Sequence, residues 1–146
     1  YPEEAIERKI PTGFIATVAA AETGNFQFKD APTAQSANNY FGMKPVGDQK
    51  FLTTTGGVNI ASFDDPKASV RAFINLITTD DRYKSVKEST DKIQDMFKGM
   101  SPYAEREDYT DFLANVYNDR IKPIIETENV LIPRKKPMMD QMNNLQ

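Results

Sequence analysis

Three residue types with distinctive chemistry are missing from this sequence of 146 residues, which contains no histidine, no cysteine and no tryptophan. Without cysteine the chain has neither disulfides nor a thiolate nucleophile, a composition compatible with any compartment. Without histidine it lacks the commonest metal ligand and the commonest general base near neutral pH. Zinc hydrolase sites and Ser-His-Asp or Cys-His triads are thereby excluded. We expect no metal and no cofactor, so any chemistry must use Asp, Glu, Tyr, Lys or backbone dipoles.

A strong excess of charge and long apolar runs are missing too. The net charge is −3, with 39% hydrophobic and 27% charged residues, which is ordinary for one globular domain. We therefore expect no nucleic-acid partner. Because no run of about 18 apolar residues occurs, we expect no insertion into a membrane. The chain begins with Tyr1 rather than Met, which favours a processed form or an excised piece of a longer protein.

Helical periodicity is the main signal in what is present. Thr12 is expected to cap an apolar helix and Gly24 to end it. Asp64 or Asp65 is expected to cap another helix, and Pro123 to end or kink the last one. The pattern predicts helices over residues 2–9, 13–23, 66–78, 81–87, 89–98 and 108–122.

Two short segments rich in β-branched residues, 51–55 and 58–63, are predicted to be strands. Gly56 and Gly57 between them indicate a hairpin with a two-residue turn. A hairpin of this size needs a helical body to rest on. The helix after it carries an apolar stripe for packing, formed by Val70, Phe73, Ile74 and Ile77. The fold class is therefore α+β and mainly α, a helical body with a small β-hairpin lobe.

The helical pattern fails near the end of the chain, where proline, methionine and asparagine accumulate. Residues 1–128 are therefore predicted to form the domain, and residues 129–146 an extended tail or linker. A polar loop at 25–39 follows the first long helix, and a short helical turn is expected within it at 33–37.

Glu22 is the acid at the end of the first long helix, after an Ala-rich apolar run. A carboxylate there meets both desolvation and the negative end of the helix dipole, and both raise its pKa. A glutamate with a raised pKa is what a general acid for glycoside cleavage requires. The same position also fits an ordinary solvated acid, since most Glu side chains are exposed.

The string NNYFGMK at residues 38–44 is the second candidate feature. Aromatic rings stack on sugar faces and amides bind hydroxyl or acetamido groups, so Asn39, Tyr40 and Phe41 are candidate substrate-binding residues. Gly42 permits a left-handed backbone or a close approach of the chain. The alternative interpretation is a loop that folds back through an aromatic anchor.

Five segments occur in a characteristic order: 10–24, which ends in AAAETG; 38–44; 61–76; DDRY at 80–83; and 102–109, which begins with PYA. In order and spacing they resemble the glucosaminidase domains of glycoside hydrolase family 73, which are bacterial and phage peptidoglycan hydrolases. The resemblance covers about residues 10–120.

The resemblance implies a lysozyme-like fold and cleavage of the β-1,4 bond after N-acetylglucosamine in peptidoglycan. It implies that Glu22 is the general acid and that Tyr103 lines the cleft beside the reacting sugar, with Tyr109 among the substrate-binding residues. Phe26 or Phe28 is expected to fill the aromatic role of a family tryptophan, and Phe26 is expected among the substrate-binding residues. The expected partners are peptidoglycan glycan strands, met outside the cytoplasm by a periplasmic, secreted or virion-associated protein or by part of a larger polypeptide.

The sequence departs from the family where many members carry a second Glu on the β-lobe, because residues 51–60 contain no acid. An inverting mechanism needs a second carboxylate, and Asp48 is the nearest candidate in the sequence. Three alternatives remain open. In the first, the substrate's own N-acetyl group replaces the second carboxylate. In the second, the chain is a lytic transglycosylase that uses Glu22 alone. In the third, it is a non-catalytic glycan-binding or structural module of a phage tail or envelope protein.

Overall fold

The structure is a computed structural model and describes residues 9–128. Its elements are α1 (Thr12–Thr23), α2 (Pro32–Ser36), β1 (Phe51–Thr53), β2 (Asn59–Ala61), α3 (Pro66–Thr79), α4 (Lys84–Glu88), α5 (Ile93–Gly99) and α6 (Tyr109–Val116). Single 3₁₀ turns occupy Asp81–Tyr83 and Ser101–Tyr103, and a π-helical turn, Tyr117–Ile121, leads from α6 into helical residues 122–128. The predicted fold class, mainly helical with one small hairpin, is confirmed.

An aromatic stack forms the centre of the helical body. Phe14 of α1 packs on Phe73 of α3 and Phe97 of α5, with ring centroids 6.2 and 5.9 Å away. Phe41, from the loop before the hairpin, stacks on Phe73 at 4.3 Å. All four rings are fully buried, and each contributes about 1.5–3 kcal/mol of hydrophobic free energy. The loop at 38–44 is therefore anchored in the main core.

The caps and the packing stripe of the long helices follow the sequence signals. Asp65 caps α3 by accepting a hydrogen bond from the Ala68 N–H at 2.8 Å. Gly24 ends α1 with a φ of 61° and donates its N–H to the Ala20 carbonyl. The predicted stripe of α3 is buried at all four positions, Val70, Phe73, Ile74 and Ile77.

The prediction that Thr12 caps α1 is wrong. Thr12 is the first helical residue, Pro11 stands at the cap position, and no side chain caps the helix there. The Pro11 carbonyl accepts the N–H groups of Phe14 and Ile15 at 3.1 and 3.3 Å. Because proline fixes φ at a value suited to helix entry, the helix begins without a side-chain cap.

The hairpin differs from the prediction in its strand lengths and its turn. Each strand has three residues, and the two run antiparallel. Thr54 donates its N–H to the Val58 carbonyl at 2.8 Å, so the turn consists of residues 55–57 rather than two glycines alone. Gly57, with a φ of 82°, takes the left-handed position that a three-residue hairpin turn requires.

A second, smaller core lies beneath the hairpin. Ile60 of β2, opposite Leu52 of β1, packs with the buried side chains of Phe28, Ala34 and Ala37. The expected helical turn near residues 33–37 is present as α2. The lobe is therefore held by the polar loop on one side and by the backbone of residues 38–44 on the other.

The last helix is longer and less regular than predicted. The Lys122 N–H donates to the Tyr117 carbonyl, five residues back, which makes this turn π-helical. Pro123 does not end the helix, because it lies within helical residues 122–128. The wider turn directly before it replaces the regular bonding that a proline disrupts.

The predicted helix at 2–9, apart from Lys9, and the predicted tail at 129–146 lie outside the described residues. Among the helices of residues 9–128, none is both long enough and apolar enough to cross a membrane.

Gly99→Ala should destabilise the fold by about 1–3 kcal/mol, because a methyl group there overpacks the junction of α4 and α5. Its Cβ would lie 2.8 Å from Val86 Cγ2 and 3.2 Å from the Val86 backbone nitrogen. Urea unfolding measures the change. Gly56→Ala is the matched control, since its Cβ meets only Thr54 Oγ1, at 3.8 Å; equal losses in the two variants would contradict the packing argument.

Candidate active site

Glu22 lies half-buried in the last turn of α1. Tyr109, the first residue of α6, donates its hydroxyl hydrogen to Glu22 Oε1 at 2.7 Å. The other oxygen, Oε2, faces Gly42, where an added Cβ would lie 3.1 Å away. Gly42 has a φ of 63°, a conformation that favours glycine. The carboxyl group is therefore held between α6 and the loop at 38–44.

The environment of Glu22 favours its protonated form. Burial raises the pKa of Glu22 above its usual range, while the hydrogen bond from Tyr109 and the charge of Arg106 oppose that rise. Burial, and then the charge of Glu22, raise the pKa of Tyr109, so Tyr109 remains a donor. Arg106 is itself engaged by Asp108, whose two oxygens accept from Nε and a terminal nitrogen at 2.6 and 2.9 Å. Glu22 thus keeps its proton to a higher pH than an exposed glutamate.

Tyr103 lies beside this pair but uses its hydroxyl elsewhere. Its ring runs nearly parallel to that of Tyr109, with centroids 6.2 Å apart, and stands edge-on to Phe73 at 5.7 Å. Its hydroxyl donates to the Phe41 carbonyl. Burial, and then the charge of Glu22, raise the pKa of Tyr103 well above its usual value. The ring therefore lines the site, while the hydroxyl joins the 101–103 turn to the loop at 38–44.

Asn39 is buried, and its amide is fully used within the protein. Nδ2 donates to the carbonyls of Met43 and Ala61 at 2.8 and 2.9 Å. Oδ1 accepts from the N–H groups of Phe41 and Met43 at 3.3 and 3.1 Å. An amide has two donor hydrogens and two acceptor lone pairs, so Asn39 has none left for an acetamido group. It shapes the loop and ties it to β2.

Two open depressions adjoin the carboxyl group. The first, the 24–31 depression, has a volume of about 540 Å³; its walls include Glu22, Lys29, Phe112 and Arg120. The second, the 101–105 depression, has a volume of about 430 Å³; its walls include Gly42, Tyr83, Tyr103 and Glu105. Glu22 itself lines the first depression, and Gly42, which its Oε2 faces, lines the second.

The predicted aromatic contacts surround a third, apolar hollow of about 200 Å³. Phe26, Tyr40 and Phe41 form its wall opposite residues of α1 that include Ile15 and Ala19. Phe26 is 44% exposed, whereas Phe41 is fully buried and has no ring face open to a sugar. The structure thus gathers these three residues around a hollow whose lining does not include Glu22.

Asp48 is exposed in a turn at residues 47–48 and is not among the residues that line either depression. Its role as a second carboxylate stays a prediction without support from this placement. Sequence reasoning missed Lys29, Glu105 and Arg120 as cleft residues. Only Glu105 carried a signal, because it lies in a segment where charged residues replace the family pattern.

A helical body with a small hairpin is the lysozyme-like fold of glycoside hydrolases, and here a half-buried acid, Glu22, lines one of its depressions. The chain belongs to the glucosaminidase family: the family model described as mannosyl-glycoprotein endo-beta-N-acetylglucosaminidase matches residues 1–128. The resemblance drawn from the five segments is thereby confirmed. Among curated proteins, none matches the sequence.

Solved structures of a peptidoglycan hydrolase and of a glycoside hydrolase domain share the fold. A peptidoglycan hydrolase from Sphingomonas sp. A1 superposes with a TM-score of 0.66 at 23% identity, over 82% of this chain and 81% of that one. The glycoside hydrolase domain of Salmonella typhimurium FlgJ gives a TM-score of 0.65 at 17% identity, over 95% of this chain and 91% of that one.

Tyr109→Phe should move the alkaline limb of the pH–activity profile to higher pH. The hydroxyl stabilises ionised Glu22, so its removal raises the pKa of that carboxyl further. A pH series of initial rates of glycan cleavage measures the limb. Tyr117→Phe is the matched control, because no hydrogen bond within residues 9–128 involves its hydroxyl. A limb that moves to lower pH would contradict the claim that the Tyr109 hydroxyl stabilises ionised Glu22.

Glu22→Gln should stabilise the protein near pH 7 relative to the parent, and less so near pH 4. The folded-state pKa of Glu22 is raised, so the parent loses stability as the pH rises through that pKa, whereas Gln does not ionise. Urea unfolding at both pH values measures the difference. Glu88→Gln, an exposed residue, controls for removal of a carboxyl group as such. A larger gain at the lower pH would refute the burial argument.

Proposed function

We propose that this chain is a peptidoglycan hydrolase, an endo-β-N-acetylglucosaminidase that uses Glu22 as its general acid. The observation that carries the proposal is the Glu22 carboxyl group, half-buried, with a raised pKa, in the wall of the 24–31 depression and facing Gly42 at the edge of the other. General acids of glycosidases need a carboxyl group that is still protonated at working pH. The structural neighbour from Sphingomonas sp. A1 is a peptidoglycan hydrolase, which supports peptidoglycan as the substrate class.

The two oxygens of Glu22 have different roles in this proposal. Oε1 accepts the Tyr109 hydroxyl, so the acidic proton is favoured on Oε2. That oxygen faces Gly42, where no side chain covers it. Proton transfer from Oε2 releases the leaving sugar and leaves positive charge on the other sugar. The ring of Tyr103 lines the 101–105 depression beside this reaction centre.

Completion of the reaction needs a nucleophile that attacks the positively charged sugar. The hairpin supplies no carboxylate, since residues 51–60 contain no acid. In hydrolysis a water attacks, aided by a carboxylate or by the substrate's N-acetyl group. Glu105 and Asp48 are the two carboxylates to test. The lack of an acid in the hairpin favours a second candidate function, lytic transglycosylation. There the 6-hydroxyl of the same sugar attacks the anomeric carbon and gives its proton to the Glu22 carboxylate, which the first step left ionised, so no activated water is required.

Peptidoglycan as substrate places the domain at the cell wall, outside the cytoplasm. We propose that the glycan strand occupies the depressions on both sides of Glu22. Action within a larger envelope protein or a virion fits the same proposal, because the site lies on an open surface of a domain of ordinary size.

Glu22→Gln should lower the rate of peptidoglycan lysis by at least about 100-fold, because general acid catalysis contributes about 10²–10⁴. Turbidity loss of purified cell walls measures lysis. Unfolding curves of the same variant show that it is folded. Lysis at the parental rate would exclude Glu22 as the acid. Asp48→Asn and Glu105→Gln in the same assay separate the two candidate bases.

Mass spectrometry of the digestion products decides between the functions. Reducing N-acetylglucosamine ends identify a glucosaminidase, and 1,6-anhydro-muramic ends identify a transglycosylase. Intact glycan that stays bound to the protein would identify a non-catalytic module and contradict both.

A further inference from the structure

The arginines beside the cleft differ in whether a local carboxylate holds them. Arg82 gives its Nε and a terminal nitrogen to Asp80 at 3.1 and 3.0 Å. Arg106 is held in the same way by Asp108. Each guanidinium is thus occupied by an aspartate two residues away. A fork held by a carboxylate has little capacity left for a ligand.

Arg120 is the exception to this pattern. It is exposed and lines the 24–31 depression, and within residues 9–128 it makes neither an ion pair nor a side-chain hydrogen bond. It lies in the π-helical turn Tyr117–Ile121. Such turns are frequent at functional sites because they change the direction of the side chains that follow. Its guanidinium is therefore free to bind a ligand.

Lys29 faces the same depression from the loop after α1. It too is exposed and forms no ion pair with any residue of the described chain. Asp30 also lines the depression, but no ion pair of 4 Å or less joins it to either cation in the described part. When Glu22 is protonated and therefore neutral, the cations Arg120 and Lys29 share the depression with one negative charge, that of Asp30.

We propose that Arg120 and Lys29 form a subsite for a carboxylate carried by the glycan strand next to the bond that is cut. This inference rests on the proposed function and names a specificity within it. Muramic acid residues of peptidoglycan carry a lactyl carboxyl group, free or extended by a peptide that ends in carboxylates. Chitin-type glycans of the same backbone carry none. A guanidinium binds carboxylates through two parallel hydrogen bonds, which gives selectivity for this group.

The position of Glu22 indicates which part of a bound sugar meets the acid and which part meets the cations. Glu22 and Arg120 line the same depression of about 540 Å³, so a sugar bound there presents its linkage to the acid and its substituent to the cations. The 101–105 depression holds one cation that is unpaired within residues 9–128, Lys44, next to a free acid, Glu105, and an arginine already engaged by Asp80. Two cations unpaired in the described chain, one of them an arginine, line the 24–31 side, so carboxylate recognition is assigned to that side.

Binding is measured on protein carrying Glu22→Gln, so that no probe is consumed. The probes are a neutral N-acetylglucosamine oligomer, a peptide-free strand with lactyl carboxylates, and the same strand with its peptides. Arg120→Gln should weaken binding of a carboxylated probe about three- to tenfold, leave the neutral probe unchanged, and reduce the salt dependence of Kd. Lys29→Gln should act in the same direction, and Arg120→Lys should restore part of the loss.

Lys122→Gln is the matched control: it removes one charge two residues away, at an exposed residue paired with Glu126 at 3.9 Å. Loss for both carboxylated strands supports the lactyl group as ligand, and loss for the peptide-bearing strand alone supports a peptide carboxylate. No loss in either, or equal loss for the neutral probe or in Lys122→Gln, overturns the subsite. Selective binding by a parent protein that never cleaves glycan would refute the proposed function and leave the subsite standing.

Discussion

The four hydrogen bonds of the buried Asn39 amide are the constraint on which the site depends. They close the turn at residues 39–43 on itself and fasten it to Ala61 of β2. A buried amide without these partners is costly, so the turn has one stable shape. That shape sends Phe41 into the core and places Gly42 against Glu22. The string NNYFGMK therefore positions the acid through Asn39 and Phe41, while Gly42, Met43 and Lys44 line the 101–105 depression.

Core packing and catalytic geometry are coupled through this turn. Phe41 stacks on Phe73 at 4.3 Å, and the Phe41 carbonyl accepts the Tyr103 hydroxyl. Tyr103 in turn lies parallel to Tyr109, which donates to Glu22. Each contact joins a different segment of the chain to the next, so a shift in the aromatic stack is transmitted to the carboxyl group. Preorganisation of the acid thus follows from the hydrophobic core.

Local signals predicted the elements better than the site. Short-range chemistry determines the stripe of α3, its cap at Asp65 and the end of α1 at Gly24. These features can therefore be predicted from the sequence alone. The three-residue hairpin turn and the π-helical turn depend on tertiary packing and were missed. For the site, Glu22 was singled out by its place at the end of an apolar helix. Asn39 and Phe41 were expected at a ligand, because composition does not distinguish a ring or amide that faces inward from one that faces a cleft.

Cations near Glu22 have two opposing effects: they attract an anionic glycan strand, and they lower the pKa of the acid. A cation close to the acid favours its ionised form and works against catalysis, and Arg106 has this effect on the pKa of Glu22. Asp108 offsets part of that charge by holding the guanidinium. Arg120 shares a depression with Glu22 but is not among the groups that lower its pKa. A cation at that position can attract an anionic strand without lowering the pKa of Glu22.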